Sequence, residues 1–397
     1  MLDSRTDSNM DALLILKDME ERIRQEDCFG WDLYDALLSK WFKKGSILDH
    51  KYPRYVWSQV NKRFPFNLRK VMSVPKSHNP KGLALILRGY CELYKLTLDN
   101  TYLEYAYRVL DLLLSLRSEA EHYCWGYNFP YQSRGNYHEA FCPNAITTSF
   151  AINAIVDLYK ITKDSELLEV IDSVRSYIVE ELLLMNEGDI AVFNYYVKDK
   201  HITYNATAKV TESLAKIYDA TKDENLEVLI RGGFNYVLRK QNKDGSWFYD
   251  DSPKGDWIDN FHTGYILVAL LKAKQIMGFD YGDEEIQKGF DFHLKKQYTP
   301  DMIPRYYIQS LYPIDTHCFA QSIITFSEFN RLDLARRSLE RAIELMYDSE
   351  NKYFIYSIRK YYTIKTNLLR WCNAYMFYAM ALLLYKQKIK QSDTSDG

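Results

Sequence analysis

The chain has 397 residues, 47% hydrophobic and 26% charged, the balance of a globular protein with a sizeable core. Its 51 basic and 53 acidic residues leave a net charge of −2, with no basic surplus to pair with phosphates, which argues against a nucleic-acid partner. No apolar run approaches the ~20 residues that a membrane span needs, and the start, MLDSRTDSNM, has neither a basic n-region nor an apolar h-region.

The six cysteines (Cys28, Cys91, Cys124, Cys142, Cys318, Cys372) are scattered and contain no C-x-x-C pair. Reduced thiols and a cytoplasmic address are the expectation. The 34 Tyr, 19 Phe and 7 Trp suit either a wet, aromatic-lined groove or a large helical core that uses Tyr as filler.

In chain order, MDALLILKDMEERIRQ is an amphipathic helix, and WDLYDALLSKWF and YVWSQVNKRFPFNLRK are helical segments that either join the main body or cap it. Six apolar helices follow. They read NPKGLALILRGYCELYKLT, CPNAITTSFAINAIVDLYKIT, YNATAKVTESLAKIYDAT, DNFHTGYILVALLKAKQIM, IDTHCFAQSIITFSEF and TNLLRWCNAYMFYAMALLLY. Anchored on Pro80, Asn144, Asn205, His262, His317 and Trp371, they repeat at steps of 64, 61, 57, 55 and 54 residues. Each step fits two helices and two loops.

Between them lie more polar helices, such as SELLEVIDSVRSYIVEELL and RLDLARRSLERAIELMY, with one apolar stripe at i, i+3, i+4 and i+7. The apolar set therefore forms an inner ring and the amphipathic set an outer ring, with MDALLILKDMEERIRQ as the sixth outer helix. The spacing predicts one all-α domain over residues 1–390, an (α/α)6 toroid of six helical hairpins. Residues 1–74 would close or cap the ring, and 391–397 would be a disordered tail.

Inner-to-outer connections such as TKDSE and TKDEN are short, whereas outer-to-inner connections are long, aromatic and in places alternating like hairpin strands. The long loops share one rim, at the N-terminal ends of the inner helices, which is where a site is expected.

The fourth long loop, QNKDGSWFYDDSPKGDWIDNFHTGYIL, crowds Asp250, Asp251, Asp256 and Asp259 ahead of His262. Neighbouring carboxylates push one another's pKa values apart and can supply an acid and a base. His262 and His317 begin successive inner helices, each closely following an Asp, a register suited to proton transfer at one cavity. Asp256, Asp259, His262, His317 and Glu139 are the candidate catalytic residues. Trp125, Tyr127, Trp247 and Tyr249 are candidate sugar-stacking residues and Arg134 a counter-charge for an anionic group, with Asn144, Asn205, Tyr306, Tyr307, Lys365 and Arg370 at corresponding rim positions. No metal or cofactor is called for.

With its six hairpins, aromatic rim loops and the segment DGSWFYDDSPKGDWIDNFHTGYIL, the chain resembles the six-hairpin glycosidase-like superfamily over residues 75–385, most of all members associated with polysaccharide biosynthesis. The resemblance implies a carbohydrate-active enzyme taking a sugar or oligosaccharide, with a glycoside hydrolase as the leading expectation. Sugar epimerases and polysaccharide lyases share the toroid, and the paired inner-helix histidines of the epimerase type are positions that His262 and His317 could match. QNKDGSW is similar to the Q-and-W motif of terpene cyclases, but it occurs once and the acidic D-x-D-D motif is absent. Lanthionine synthetase C-like toroids bind zinc through two Cys and a His, and the spacings of Cys124, His317, Cys318 and Cys372 do not match theirs. A non-catalytic scaffold that presents an aromatic rim to a glycan or protein, and a terpenoid cyclase-like protein, are the remaining alternatives.

Overall fold

The computed structural model describes residues 3–198 and 202–395. Six inner helices form a closed ring: α3 (Pro80–Thr97), α5 (Ala145–Thr162), α7 (Tyr204–Thr221), α9 (Asn260–Met277), α11 (Thr316–Glu328) and α13 (Tyr375–Ser395). Each packs against the next, and α13 packs against α3. Outside them lie α4 (Thr101–Ser115), α6 (Glu166–Ser176), α8 (Glu227–Arg239), α10 (Asp283–Lys296) and α12 (Leu332–Met346). The sixth outer position is taken by α1 (Asp3–Gln25), which packs against α13 through a face that includes Leu16, Met19 and Ile23. First and last helices thus close the ring.

Composition explains the two layers. The inner helices are apolar nearly all round and are buried along most of their length, as α5 is from Ala145 to Val156. The outer helices bury one stripe, as α6 does with Leu167, Val170, Ile171 and Val174. Gly89 and Gly264 allow the tightest approaches between inner helices: a Cβ on Gly89 would lie 2.4 Å from Phe377, and one on Gly264 2.8 Å from Gln321.

The short inner-to-outer turns share one device. Leu98, Lys163, Lys222 and Gly278 end their helices in the left-handed conformation, at φ of 55–67°. After three of them an aspartate accepts an amide of the next helix: Asp99 from Thr101, Asp164 from Glu166 and Asp223 from Asn225. The long outer-to-inner connections form short antiparallel hairpins on the other rim. β1 (Tyr131–Gln132) pairs with β2 (Tyr137–His138), and β3 (Leu183–Glu187) with β4 (Ile190–Phe193). β5 (Ile314–Asp315) is joined through β8 (Ser357–Ile358) to β9 (Thr363–Ile364), and β6 (Tyr347–Asp348) pairs with β7 (Tyr353–Phe354). A turn of π-helix, Leu369–Ala374, leads into α13.

Residues 26–79, including α2 (Lys51–Arg63), lie against this rim. Arg54 sits 3.9 Å over the Tyr137 ring, Tyr362 Oη donates to the Arg63 carbonyl, and Tyr34 meets the rings of Tyr131 and Trp371 edge-on. At the other terminus α13 runs on as helix to Ser395, through most of the polar tail that was expected to be disordered. Residues 396–397 lie outside the described residues.

Candidate active site in the toroid mouth

The mouth is built on helix N-termini. Asn79, Asn144, Asp259 and Asp315 cap α3, α5, α9 and α11, each accepting a first-turn amide of its own helix. Four polar caps on one rim leave polar side chains and helix dipoles facing the same space.

Asp259 does more than cap. Its Oδ1 accepts the His262 amide and its Oδ2 lies 2.8 Å from His262 Nδ1. A neutral imidazole that donates from Nδ1 keeps a lone pair on Nε2. Asp259 is buried, whereas the His262 side chain remains 21% exposed, so the imidazole is the more accessible end of the pair. Around it stand Tyr249, Trp257 and Tyr265, with Tyr249 stacked on Trp257 at 4.3 Å. Tyr249, Trp257, Asp259 and His262, with Asn205, line a narrow crevice in which the buried Asn205 Oδ1 has no hydrogen-bond partner among the described residues.

His317 takes a different position from the one its register suggests. It is fully buried, stacked on Trp371 at 4.3 Å, with Nδ1 3.1 Å from the Trp371 carbonyl and Nε2 2.6 Å from Tyr265 Oη. The carbonyl can only accept, so Nδ1 carries the proton and Nε2 accepts from Tyr265. Tyr265 in turn accepts from Tyr375, at 2.6 Å. Burial drives the His317 pKa far below the usual histidine range and keeps the ring neutral. His317 is thus the end of a Tyr375–Tyr265–His317 chain beneath the mouth, while His262 faces it.

Asp315 is the carboxylate that the sequence reading passed over. Its Oδ1 accepts the His317 amide at 2.9 Å and Trp371 Nε1 at 3.0 Å, and burial pushes its pKa up to about 6. Arg370, on the π-turn, is paired with Asp32 and lies 5.2 Å from the Tyr127 ring centroid. From the covering segment, Lys62 Nζ meets Tyr34 Oη at 3.0 Å, and burial, with Arg63 nearby, lowers its pKa to about 8.

Of the other sequence candidates, Tyr249 and Asn205 line the crevice, and Tyr306 packs on Phe261 beside it. Tyr127 stacks on Phe129. Trp125 and Trp247 are not exposed platforms: both are buried, their indole N–H groups donating to the carbonyls of Leu113 and Val237. Trp247 forms the crevice wall from behind. Glu139 is 74% exposed and faces Lys44, Arg134 is exposed and donates to Tyr55 Oη, and Asp256 is exposed. These three do not join the dyad. Asn144 is a buried cap.

Lys81, Tyr265 and Tyr375 also escaped the sequence reading. Tyr265 carried a signal, since it lies three residues after His262 on one helix face. Among the described residues no three His, Cys, Asp or Glu side chains converge as a metal site, and all six cysteines are free thiols.

No family model matches the chain, and no curated protein matches it in sequence. Solved structures do match in shape. Cellobiose 2-epimerase from Bacillus thermoamylovorans superposes with a TM-score of 0.63 at 14% identity, covering 80% of this chain and 90% of that one. A D-mannose isomerase gives 0.61 at 13% identity, covering 78% and 87%. A family 105 glycoside hydrolase from C. acetobutylicum gives 0.58 at 13% identity, covering 78% and 93%. The fold is the (α/α)6 toroid. At these identities the likeness carries the architecture and leaves the chemistry to the site.

Proposed function

We propose that the protein is a carbohydrate-active enzyme that moves a proton on a carbon next to the carbonyl of a reducing sugar, as a 2-epimerase or an aldose–ketose isomerase. The observation that carries this reading is the Asp259–His262 dyad, in which both carboxylate oxygens are engaged and the imidazole is what faces the aromatic crevice. Glycoside hydrolysis asks for two carboxylates across the scissile bond, whereas abstraction of an acidic C–H needs one base near pH 7. Solved toroids of this shape include a cellobiose 2-epimerase and a mannose isomerase, which supports the choice.

In this scheme the open-chain sugar lies against Tyr249 and Trp257, and the Asn205 carbonyl oxygen accepts one of its hydroxyls. His262 Nε2 takes the C2 proton, and Asp259 stabilises the imidazolium that forms. The imidazole proton exchanges with solvent; its delivery to C2 after the planar intermediate has turned its other face to His262 gives the epimer, and delivery to C1 gives the ketose. A cytoplasmic address is part of the proposal, supported by the six free thiols. Among the described residues no helix is long and apolar enough to cross a membrane.

A second reading rests on Asp315. A buried carboxylic acid titrating near 6 is suited to protonating a glycosidic oxygen, which would make the protein a hydrolase. The two readings are separated by incubating the protein in D2O with cellobiose, mannose and glucose. Proton transfer incorporates deuterium at C2 without releasing a monosaccharide, and hydrolysis of cellobiose releases glucose. Asp315→Asn keeps the helix cap, so on the hydrolase reading activity falls with little change in Tm; on the proton-transfer reading it retains C2 exchange.

A further inference from the structure

Among the described residues the buried cations of the ring are paired, Lys81 excepted. Arg88 and Lys216 share Asp157, at 2.8 and 2.5 Å, Lys209 meets Glu212, and Arg370 meets Asp32. Lys81, 4% exposed, has no hydrogen bond or ion pair among the described residues. Its Nζ sits in a cage of three rings, 4.1 Å from the centroid of Phe150, 5.2 Å from Tyr265 and 5.4 Å from Tyr375. Those rings come from α5, α9 and α13, alternate members of the inner ring, and Lys209 of α7 approaches Phe150 as well, at 4.9 Å. Side chains from alternate helices meet only near the toroid axis. Lys81 therefore lies near the axis at the mouth end of α3, and Tyr265 neighbours both Lys81 and His262, its ring centroid 5.8 Å from that of His262.

Burial, with Arg370 and Lys209 nearby, favours the uncharged amine, against the attraction of the three surrounding rings for a cation. A desolvated lysine beside other cations is an activated nucleophile toward a carbonyl carbon.

We propose that Lys81 is a catalytic residue that forms a transient Schiff base with the C1 carbonyl of the open-chain sugar. This deepens the proton-transfer reading and rests on it for the later step. The amine nitrogen bonds to C1 and gives up one proton, the carbonyl oxygen takes that proton and a second from solvent and leaves as water, and the C1=N bond forms as an iminium. The positive nitrogen acidifies the C2–H. His262 takes that proton, and the electron pair moves into C1=C2 as C1=N becomes C1–N. Reprotonation at C2 and attack of water on C1 release the epimer and restore the amine. No oxidant or reductant is consumed.

The test is reductive trapping near pH 7, where exposed lysines are protonated. Full-length protein is incubated with D-mannose or cellobiose and sodium cyanoborohydride, then mapped by mass spectrometry, alongside C2 deuterium exchange for wild type, Lys81→Met and His262→Gln. The expected result is a single saturable adduct at Lys81 in wild type and in His262→Gln, none at position 81 in Lys81→Met, and C2 exchange lowered about a hundredfold or more in Lys81→Met. A scatter of surface adducts with none at Lys81 overturns the proposal, as does wild-type exchange in Lys81→Met or loss of exchange without an adduct. An adduct at Lys81 with no C2 exchange in wild type supports the Schiff base while overturning the epimerase reading. Met fills the cage without a charge, so its thermal denaturation curve separates lost chemistry from lost fold.

Discussion

Asn at position 259 would still accept the His262 amide, because Asn and Asp cap helices equally well, but its side chain could present an N–H to Nδ1 and favour the wrong imidazole tautomer. Asp259→Asn is expected to lower turnover by on the order of 10⁴-fold, the size of effect seen when a His–Asp pair loses its carboxylate. Stability should change by less than about 1 kcal/mol. Steady-state kinetics with a denaturant titration would check both parts, and a large loss of stability with turnover intact would assign Asp259 to folding alone. Lys81 gives a second residue-scale prediction. Its folded pKa lies well below the unfolded value near 10.5 because of burial. Between those two values the unfolded chain holds the extra proton, so Lys81 opposes folding increasingly as pH falls from 10.5 toward its folded pKa. Lys81→Met should therefore be more stable than wild type at neutral pH, by a margin that shrinks as pH approaches 10.5, measured by denaturant unfolding at several pH values. His262 and Asp259 were legible in the sequence because a cap and a residue three places on share a helix turn. The burial of His317 was not, because it depends on Tyr265 and Trp371 arriving from the neighbouring helices.

At the scale of elements, the long rim loops combine buried anchoring aromatics with aromatics that line the crevice, and sequence alone does not tell them apart. Trp125 and Trp247 lock two loops onto the outer helices α4 and α8 through indole hydrogen bonds to backbone carbonyls. Alanine at either position should cost about 3–5 kcal/mol, the range for truncating a buried aromatic. Trp257→Ala, on a half-buried ring that faces His262, should mainly raise KM. Thermal unfolding of the three variants, set beside their KM values, checks this division. The π-turn Leu369–Ala374 is a second element that periodicity does not reveal. It projects Arg370 toward Asp32 and Tyr127, and Trp371 toward Asp315 and His317. An irregular turn inside a helical run re-aims side chains away from the positions a 3.6-residue period assigns, and such turns cluster at functional sites.

Across the whole molecule, the near-constant repeat step made the ring legible, because each hairpin must bury its apolar face against the next one and can do so only in a closed circuit. The direction of the mouth was legible from loop length alone. What lies over the mouth was not: residues 26–79 have no periodic partner in the sequence, yet Tyr34, which meets Lys62 within that segment, reaches the rim aromatics Tyr131 and Trp371 from there. The toroid is shared by proteins of several activities, so the reaction follows from which side chain the mouth presents, and here that is an imidazole backed by a buried carboxylate. The most direct test is proton NMR of cellobiose, mannose and glucose in D2O with wild type and His262→Gln. The account predicts loss of the C2 proton signal from one of these sugars with wild type, together with the epimer or ketose, and no loss with His262→Gln. Deuterium incorporation that persists in His262→Gln, or release of glucose from cellobiose with every C2 proton retained, would contradict it.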